Sequence, residues 1–249
     1  MTAAIATMQS GDTLSLATNG NYTLGAGTDG FTTLPSGRPG SPTVLLGNGA
    51  TITGGRDGLS LYGKSDISIS NLNFVNQTRY CITYDRCYDI SQSGCTYKST
   101  LGTDFLDVLK IYRSDDLTFT NCTVLATTGA NTCDGFEFWG PCNHVAVTNC
   151  IVDQIAGGVS PDHHAFEVYG ESAAEICNDI VFTNCHAESV DVGFSSEGGP
   201  SSNAIHTNVK AITCTTTGMD NYDAQGIQGA TLYVTAGTLT SRNGSVTEL

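Results

Sequence analysis

The stretch Asp134-Gly-Phe-Glu-Phe-Trp-Gly140 decides the fold of this chain of 249 residues. Phe136 and Phe138 alternate with a glycine, a glutamate and a tryptophan, which is the two-residue period of a β-strand with one buried face. A second short strand follows at 144–150 and ends in Thr-Asn-Cys. The same strand–turn–strand unit returns along the chain, and such internal repetition predicts a stack of identical supersecondary units.

The repeat has a measurable but variable period. The first inward apolar residues of the units are Leu59, Ile82, Leu109, Phe136, Phe166, Phe194 and Ala224, at intervals of 23, 27, 27, 30, 28 and 30 residues. Such variation indicates a fixed frame of strands joined by loops of changing length. A turn closes the second strand of each unit, commonly with an asparagine, which tolerates left-handed backbone.

Composition fits this architecture and excludes several functions. Only 14% of the residues are charged, and 29 are glycine, which suits short strands and tight turns. A net charge of -14 with ten lysines and arginines argues against a nucleic-acid partner. No apolar run is long enough to span a membrane, so we expect no membrane partner. We predict one domain over 1–249, with an N-terminal cap at 1–40 and coils at 41–240.

The repeated motifs resemble those of a known family. Thr-Asn-Cys, Gly47-Asn-Gly-Ala-Thr-Ile-Thr-Gly54 and Asp134-Gly-Phe-Glu-Phe138 are similar to the pectate-lyase-like superfamily over roughly residues 42–240. The resemblance implies an all-β fold, a single-stranded right-handed parallel β-helix, or solenoid. Counting repeats gives about seven coils after the cap. Lyases, epimerases, hydrolases and phage tailspikes share this fold, so it does not choose among them.

Ten cysteines divide into two groups by register. One group occupies a single inward position of successive coils and is predicted to form a stack of buried thiols: Cys95, Cys122, Cys150, Cys185 and Cys214. Cys142 and Cys177 each lie eight residues before a member of that stack, so they should be neighbours about 4.8 Å apart. We therefore predict a Cys142–Cys177 disulfide, and less firmly a Cys81–Cys87 disulfide, which would place the protein outside the cytosol.

Two outward columns of the first strand carry the chemistry, since inward residues fill the core. The first column is Ser60, Thr83, Lys110, Glu137, Glu167 and Ser195, and the second is Tyr62, Asp85, Tyr112, Trp139, Tyr169 and Glu197. Asp57, Asp107, Asp134 and His164 stand at the turn before the strand. Sugar rings stack on aromatic faces through their apolar C–H side. Tyr62, Tyr112, Trp139 and Tyr169, with Arg113 beside them, are therefore the predicted substrate-binding residues, although an aromatic ladder can also merely stabilise stacked strands.

The favoured function is a polysaccharide lyase acting on a uronate-containing glycan by β-elimination. Several β-helix lyases use a Lys or Arg base with a carboxylate-bound Ca²⁺, and by that resemblance Lys110 would be the base. The resemblance also implies Asp107, Asp134, Glu137 and Glu167 as Ca²⁺ ligands. His164 is a candidate proton donor to the leaving group, because the imidazole titrates near working pH. A cation would reconcile this acidic chain with an acidic polymer.

Two alternatives stay open. A glycoside hydrolase would use Glu137 and Glu167, whose expected separation of roughly 5 Å suits retention, or Asp134 with Glu167 for inversion. A non-catalytic glycan-binding or tailspike-like module would need only the aromatic column. The polysaccharide partner predicts a secreted, extracellular protein, or alternatively a phage or virus particle protein. The sequence leaves monomer and homo-oligomer undetermined.

Overall fold

The structure is a computed structural model that describes residues 2–98, 107–127, 134–155, 163–190, 192–198, 206–217, 220–225, 231–234 and 245–248. One short helix, α1 (Thr2–Ile5), precedes a long series of strands. The strands are β1 (Thr13–Ser15), β2 (Asn21–Leu24), β3 (Thr43–Gly54), β4 (Leu59–Tyr62), β5 (Ser65–Val75), β6 (Ile82–Asp85), β7 (Tyr88–Ser93), β8 (Thr96–Lys98), β9 (Leu109–Tyr112), β10 (Asp115–Thr120), β11 (Thr123–Thr127), β12 (Asp134–Trp139), β13 (Asn143–Thr148), β14 (Ile151–Ile155), β15 (His164–Gly170), β16 (Asn178–Thr183), β17 (His186–Glu188), β18 (Val192–Gly198), β19 (Val209–Ile212), β20 (Thr215–Thr217), β21 (Asp220–Gln225), β22 (Thr231–Val234) and β23 (Ser245–Glu248).

Two sheets account for these strands, and neighbouring named strands pair in parallel. The seven-stranded sheet has the order β21-β18-β15-β12-β9-β6-β4, so each strand pairs with its counterpart in the next repeat. The sixteen-stranded sheet curls through two more stacks, and the long strand β5 joins them by pairing with both β7 and β8. This nearly all-β arrangement of stacked parallel strands is consistent with a β-helix. Its hand, its coil number and the N-terminal cap remain predictions.

The strand register agrees with the sequence alignment over most of the chain. Leu59, Ile82, Leu109, Phe136, Phe166 and Phe194 lie opposite one another in successive strands. The prediction that Ala224 continues this row is wrong by two residues, because Phe194 pairs with Tyr222, while Ala224 pairs with Ser196. The last repeat has a tyrosine where earlier repeats have an aliphatic or a phenylalanine, and alternation alone did not choose between the two positions.

The core is a column of stacked side chains inside the coils. The Phe136 and Phe166 rings stack with centroids 5.3 Å apart, and the Phe166 and Phe194 rings stack at 4.8 Å. All three side chains are fully buried. Each buried aromatic pair contributes roughly 0.5–1.5 kcal/mol beyond the area it buries. This column fixes the register of β12, β15 and β18 and therefore the positions of their outward side chains.

The predicted turn chemistry is confirmed. Asn71, Asn121, Asn149 and Asn184 all have left-handed backbone, with φ between 52° and 53°. The amide of Asn149 donates to the side-chain oxygen of Asn121 at 3.3 Å, so copies of the turn bond to each other along the stack. Left-handed backbone costs asparagine less than most residues, which explains its repeated use here.

The predicted disulfides are wrong, since Cys81, Cys87, Cys142 and Cys177 are all free and buried. Cys142 Sγ lies 3.4 Å from the carbonyl oxygen of Trp139, and Cys177 Sγ lies 3.7 Å from that of Phe138, so each thiol contacts a backbone carbonyl. Cys81 Sγ lies 3.3 Å from Gln77 Oε1. Burial raises the pKa of Cys81 and of Cys142, which disfavours the thiolate that disulfide formation requires. The five-thiol stack is buried as predicted.

No helix in these described ranges has the length and apolar character of a membrane-spanning segment.

Candidate active site

The site lies on the outward face of the seven-stranded sheet, where β9, β12, β15 and β18 run side by side. Register pairs place Lys110 beside Glu137, Glu137 beside Glu167, and Glu167 beside Ser195. The second column is confirmed in the same way, with Tyr112, Trp139, Tyr169 and Glu197 in successive strands. Side chains on alternate positions of a strand share a face, so both columns project from one surface.

Burial is the first unexpected feature of this surface. Lys110 and Glu137 are each 4% exposed and Glu167 is 5% exposed, although they point away from the core. Asp107, Asp134 and His164 are equally buried. The second column covers part of this cluster, because the Lys110 ammonium lies 4.0 Å from the centroid of the Trp139 ring. The site is therefore a group of ionisable side chains held in low dielectric and not a solvated ladder.

The Lys110 ammonium contacts two carboxylates and two aromatic rings. Its Nζ lies 2.9 Å from Asp107 Oδ2 and also hydrogen-bonds Glu137 Oε2. The Tyr112 ring centroid lies 5.2 Å from the same ammonium, and the Trp139 ring centroid lies 4.0 Å from it. Two carboxylates and two aromatic faces all interact with the charged form of this side chain. Lys110 is thus arranged to compensate charge, which suits it poorly to the predicted role of a base.

His164 occupies the equivalent position among the other carboxylates. Its Nδ1 lies 2.8 Å from Asp134 Oδ1 and 3.8 Å from Glu167 Oε1, while its Nε2 lies 2.9 Å from Glu197 Oε1. The backbone N–H of His164 also donates to Asp134 Oδ1 at 2.9 Å. Burial alone would lower the pKa of His164, but the Glu167 and Asp134 carboxylates and the Glu197 contact outweigh it, so the pKa is raised well above its ordinary value.

Two carboxyl groups of the site, those of Glu167 and Asp134, have pKa values above their ordinary range. Burial raises the pKa of Glu167 well above its usual range, the Asp134 charge adds to this, and His164 opposes it. Burial also raises the pKa of Asp134, again against the lowering effect of His164. A raised pKa favours the protonated form of a carboxyl group, which is the form that can donate a proton.

The predicted Ca²⁺ ligands do lie together, but as they stand they do not fit a resident Ca²⁺. Asp107, Asp134 and Glu137 offer oxygens within 4.8 Å of one another, and Asp134, His164 and Glu167 form a second such group. The Lys110 ammonium already bonds two carboxylates of the first group. In the second group both ring nitrogens of His164 already contact carboxylates, Nδ1 at 2.8 Å from Asp134 Oδ1 and Nε2 at 2.9 Å from Glu197 Oε1.

The predicted substrate-binding residues form a continuous aromatic surface over three strands. The Tyr112 and Trp139 rings stack with centroids 5.5 Å apart, and the Trp139 and Tyr169 rings meet edge to face at 5.1 Å. Tyr62 lies further along the column, is 61% exposed and is covered by the Arg86 guanidinium, which lies 5.2 Å from its ring centroid. Arg113 is exposed at the end of β9, and its backbone N–H donates to Trp139 O at 3.2 Å.

Two residues of the site were not among the predicted site residues. Glu197 contacts His164, and Ser195 continues the first column beside Glu167. The Ser195 hydroxyl and Glu197 Oε1 are buried without a well-aligned hydrogen-bond partner among the described residues. Their column positions were a sufficient signal, because Ser195 follows Glu167 and Glu197 follows Tyr169 by one repeat.

Comparison with known proteins gives no family for this chain. No family model and no curated protein matches it. One solved structure that matches is the catalytic domain of a GH87 alpha-1,3-glucanase variant in complex with tetrasaccharides, at 11% identity and a TM-score of 0.35. The match covers 93% of this chain, which spans 62% of that chain's length. A likeness at this level transfers neither a family nor an activity to this chain.

Proposed function

We propose that this protein is a glycan-active enzyme that hydrolyses glycosidic bonds, with Glu167 as the general acid. The observation that carries the proposal is a buried Glu167, whose pKa is raised by burial, in register with the Glu137 carboxylate that is ion-paired with Lys110. Hydrolysis of a glycoside needs one carboxyl group that donates a proton and a second, ionised one that attacks or activates water. Two carboxyl groups on neighbouring strands with these opposite forms meet that need.

The separation of the acids favours retention. Parallel strands lie about 4.8 Å apart, so Glu137 and Glu167 are spaced for direct attack by one of them. The closest ligand atoms of Asp134 and Glu167 are also within 4.8 Å, which leaves less room for a water than the inverting arrangement expected from sequence requires.

Hydrolysis then proceeds in two steps, through a covalent intermediate on Glu137. Glu167 protonates the glycosidic oxygen as the bond to the anomeric carbon breaks, and Glu137 Oε forms a covalent bond to that carbon. The Glu167 carboxylate then takes a proton from water, whose oxygen displaces Glu137. Lys110 stabilises the departing Glu137 carboxylate through the ion pair described above.

The aromatic surface beside the acids is the proposed binding site for the sugar rings of the substrate. Tyr112, Trp139 and Tyr169 lie beside the acids in the next outward column, so sugar rings stacked on them would present a glycosidic oxygen to the first column. A polymeric substrate of this kind fits a secreted protein. That location remains a prediction, and the disulfide that first suggested it is not formed.

The test is incubation with a panel of neutral and acidic polysaccharides, with parallel assays of new reducing ends and of absorbance in the unsaturated-uronate band. We expect reducing ends without that absorbance, and no loss of activity with a chelator. Absorbance that rises with Ca²⁺ and is abolished by chelator would instead establish β-elimination and the calcium prediction. Glycan binding with neither product would reduce the site to a binding surface.

A further inference from the structure

The half of the site that follows β9 is built from a segment without basic residues. Between Arg113 and Lys210 the sequence contains thirteen aspartates and glutamates and no lysine or arginine. This segment supplies β12, β15 and β18, which carry Glu137, Glu167 and Glu197. An anionic polymer lying across these strands would meet the carboxylates of Glu137 and Glu197, and no lysine or arginine of this segment would offset their charge.

The cations near the site are committed to the protein's own carboxylates. Lys110 pairs with Asp107 and Glu137, and His164 lies between Asp134, Glu167 and Glu197. Nearer the N-terminus, Arg79 precedes β6 and Asp57 precedes β4. The Arg79 guanidinium donates from Nε and Nη2 to the two Asp57 carboxylate oxygens, at 2.8 and 2.5 Å. Arg113, exposed at the end of β9, is a single guanidinium at the edge of five buried carboxyl groups.

Two buried side-chain oxygens at the other end of the site have no well-aligned hydrogen bond among the described residues. Glu197 Oε1 lies 2.9 Å from His164 Nε2 without the alignment of a hydrogen bond, and the neighbouring Ser195 hydroxyl is fully buried without a partner among the described residues. Glu197 is 9% exposed and lies beside the Tyr169 ring in register. A carboxylate oxygen only accepts hydrogen bonds, so the group that completes it must be a donor.

We infer that the substrate is a glycan without acidic groups, whose hydroxyl or amino donors are recognised by Glu197 beside Tyr169, and that uronate polymers are excluded. The inference rests on the proposed function for the location of the substrate. Its own support is the lack of lysine and arginine in this segment, together with the buried Glu197 Oε1 and Ser195 hydroxyl, which have no well-aligned hydrogen bond among the described residues. It also replaces the uronate polymer expected from sequence with a neutral or basic one.

The experiment compares matched polymers bound to the Glu167→Gln variant, which holds substrate without turning it over. One pair is a polyuronate and its carboxyl-reduced counterpart, which has the same linkage and ring but no charge. A second pair is a glucosamine polymer with free amines and its N-acetylated form. Binding is measured by affinity electrophoresis and calorimetry at low and high salt.

We expect the carboxyl-reduced polymer to bind at least about tenfold more tightly than its polyuronate parent at low salt, with the gap narrowing as salt screens the repulsion. Preference for the free-amine polymer over its N-acetylated form would identify an ammonium as the donor, and equal binding would identify a hydroxyl. Equal or tighter binding of the polyuronate, or no binding of any polymer, would overturn the inference.

Glu197→Gln sharpens the test, because the amide keeps an acceptor oxygen but removes the charge. This variant should bind the polyuronate more tightly and the free-amine polymer more weakly, with little change for the neutral polymer. Glu188→Gln removes the same charge from an exposed position on β17 and should change none of these. Binding with the expected preference but no reducing ends from the wild-type protein would refute hydrolysis and leave the substrate class standing.

Discussion

At the scale of single residues, the site depends on which carboxyl group keeps its proton. Glu167 keeps it because it is buried beside Asp134 and Glu197, and His164 only partly offsets this. Glu167→Gln removes the transferable proton while keeping the shape, so we expect kcat/KM for glycan hydrolysis to fall by about 10²–10⁴-fold. Reducing-end assays measure the loss, and Glu188→Gln is the surface control. A Glu167→Gln enzyme with near-normal rates would remove Glu167 from the mechanism.

The same residue sets the pH profile of activity. A general acid works only while protonated, so the raised pKa of Glu167 extends activity toward neutral pH, and rates fall as pH rises through that pKa. We expect the alkaline limb of kcat/KM to lie well above the ordinary range of a glutamate. A profile that falls already near pH 4 to 5 would show that Glu167 is not the proton donor.

Trp139 lies between the charged cluster and the aromatic surface that is proposed to bind sugar rings. Its ring faces the Lys110 ammonium at 4.0 Å and stacks on Tyr112 at 5.5 Å. Trp139→Ala removes the largest sugar platform, and we expect KM for a polymer to rise by about tenfold. Trp139→Phe keeps a face and should recover most of the affinity. Unchanged KM in both variants would mean that the aromatic column serves only the strands.

At the scale of elements, the sequence was sufficient for the strand frame and insufficient for its chemistry. Alternation and the repeat interval placed Lys110, Glu137 and Glu167 in one column, because the side-chain period of a strand is fixed at two. They did not show that this column is buried, since the approach of the Trp139 ring to the Lys110 ammonium is a side-chain arrangement that the repeat does not specify. Cys142 and Cys177 were placed as neighbours, but the direction of a thiol is a rotamer choice that spacing does not determine.

The phenylalanine column of β12, β15 and β18 supports this frame. Phe166 lies between Phe136 and Phe194 at 5.3 and 4.8 Å and is fully buried. Phe166→Ala opens a cavity in the middle of the stack and should cost about 3–5 kcal/mol of unfolding free energy. Chemical denaturation measures this cost, and Phe166→Leu, which refills most of the space, should lose less. Equal costs for the two variants would show that stacking, and not volume, holds the column.

At the scale of the whole molecule, the buried site couples stability to pH. The pKa values of Asp134, Glu167 and His164 are all raised in the folded protein, so the folded state binds more protons than the unfolded state. Stability therefore falls as pH rises from about 4, where unfolded carboxyl groups begin to ionise, and again above about 6.5, where the unfolded imidazole loses its proton. An acidic chain of net charge -14 adds self-repulsion in the same direction.

We therefore expect Tm to be higher near pH 5 than near pH 8, which calorimetry or circular dichroism would measure. Part of this dependence is general to any acidic protein, so the decisive comparison is between variants. Glu167→Gln removes one raised carboxyl from the site and should flatten the decline between those pH values, while Glu188→Gln, which removes an exposed charge, should leave its slope nearly unchanged. Parallel curves of Tm against pH for the wild-type protein and both variants would show that Glu167 does not contribute to the loss of stability with rising pH. The proposal that burial raises the pKa of Glu167 would then be refuted, together with the role of Glu167 as proton donor.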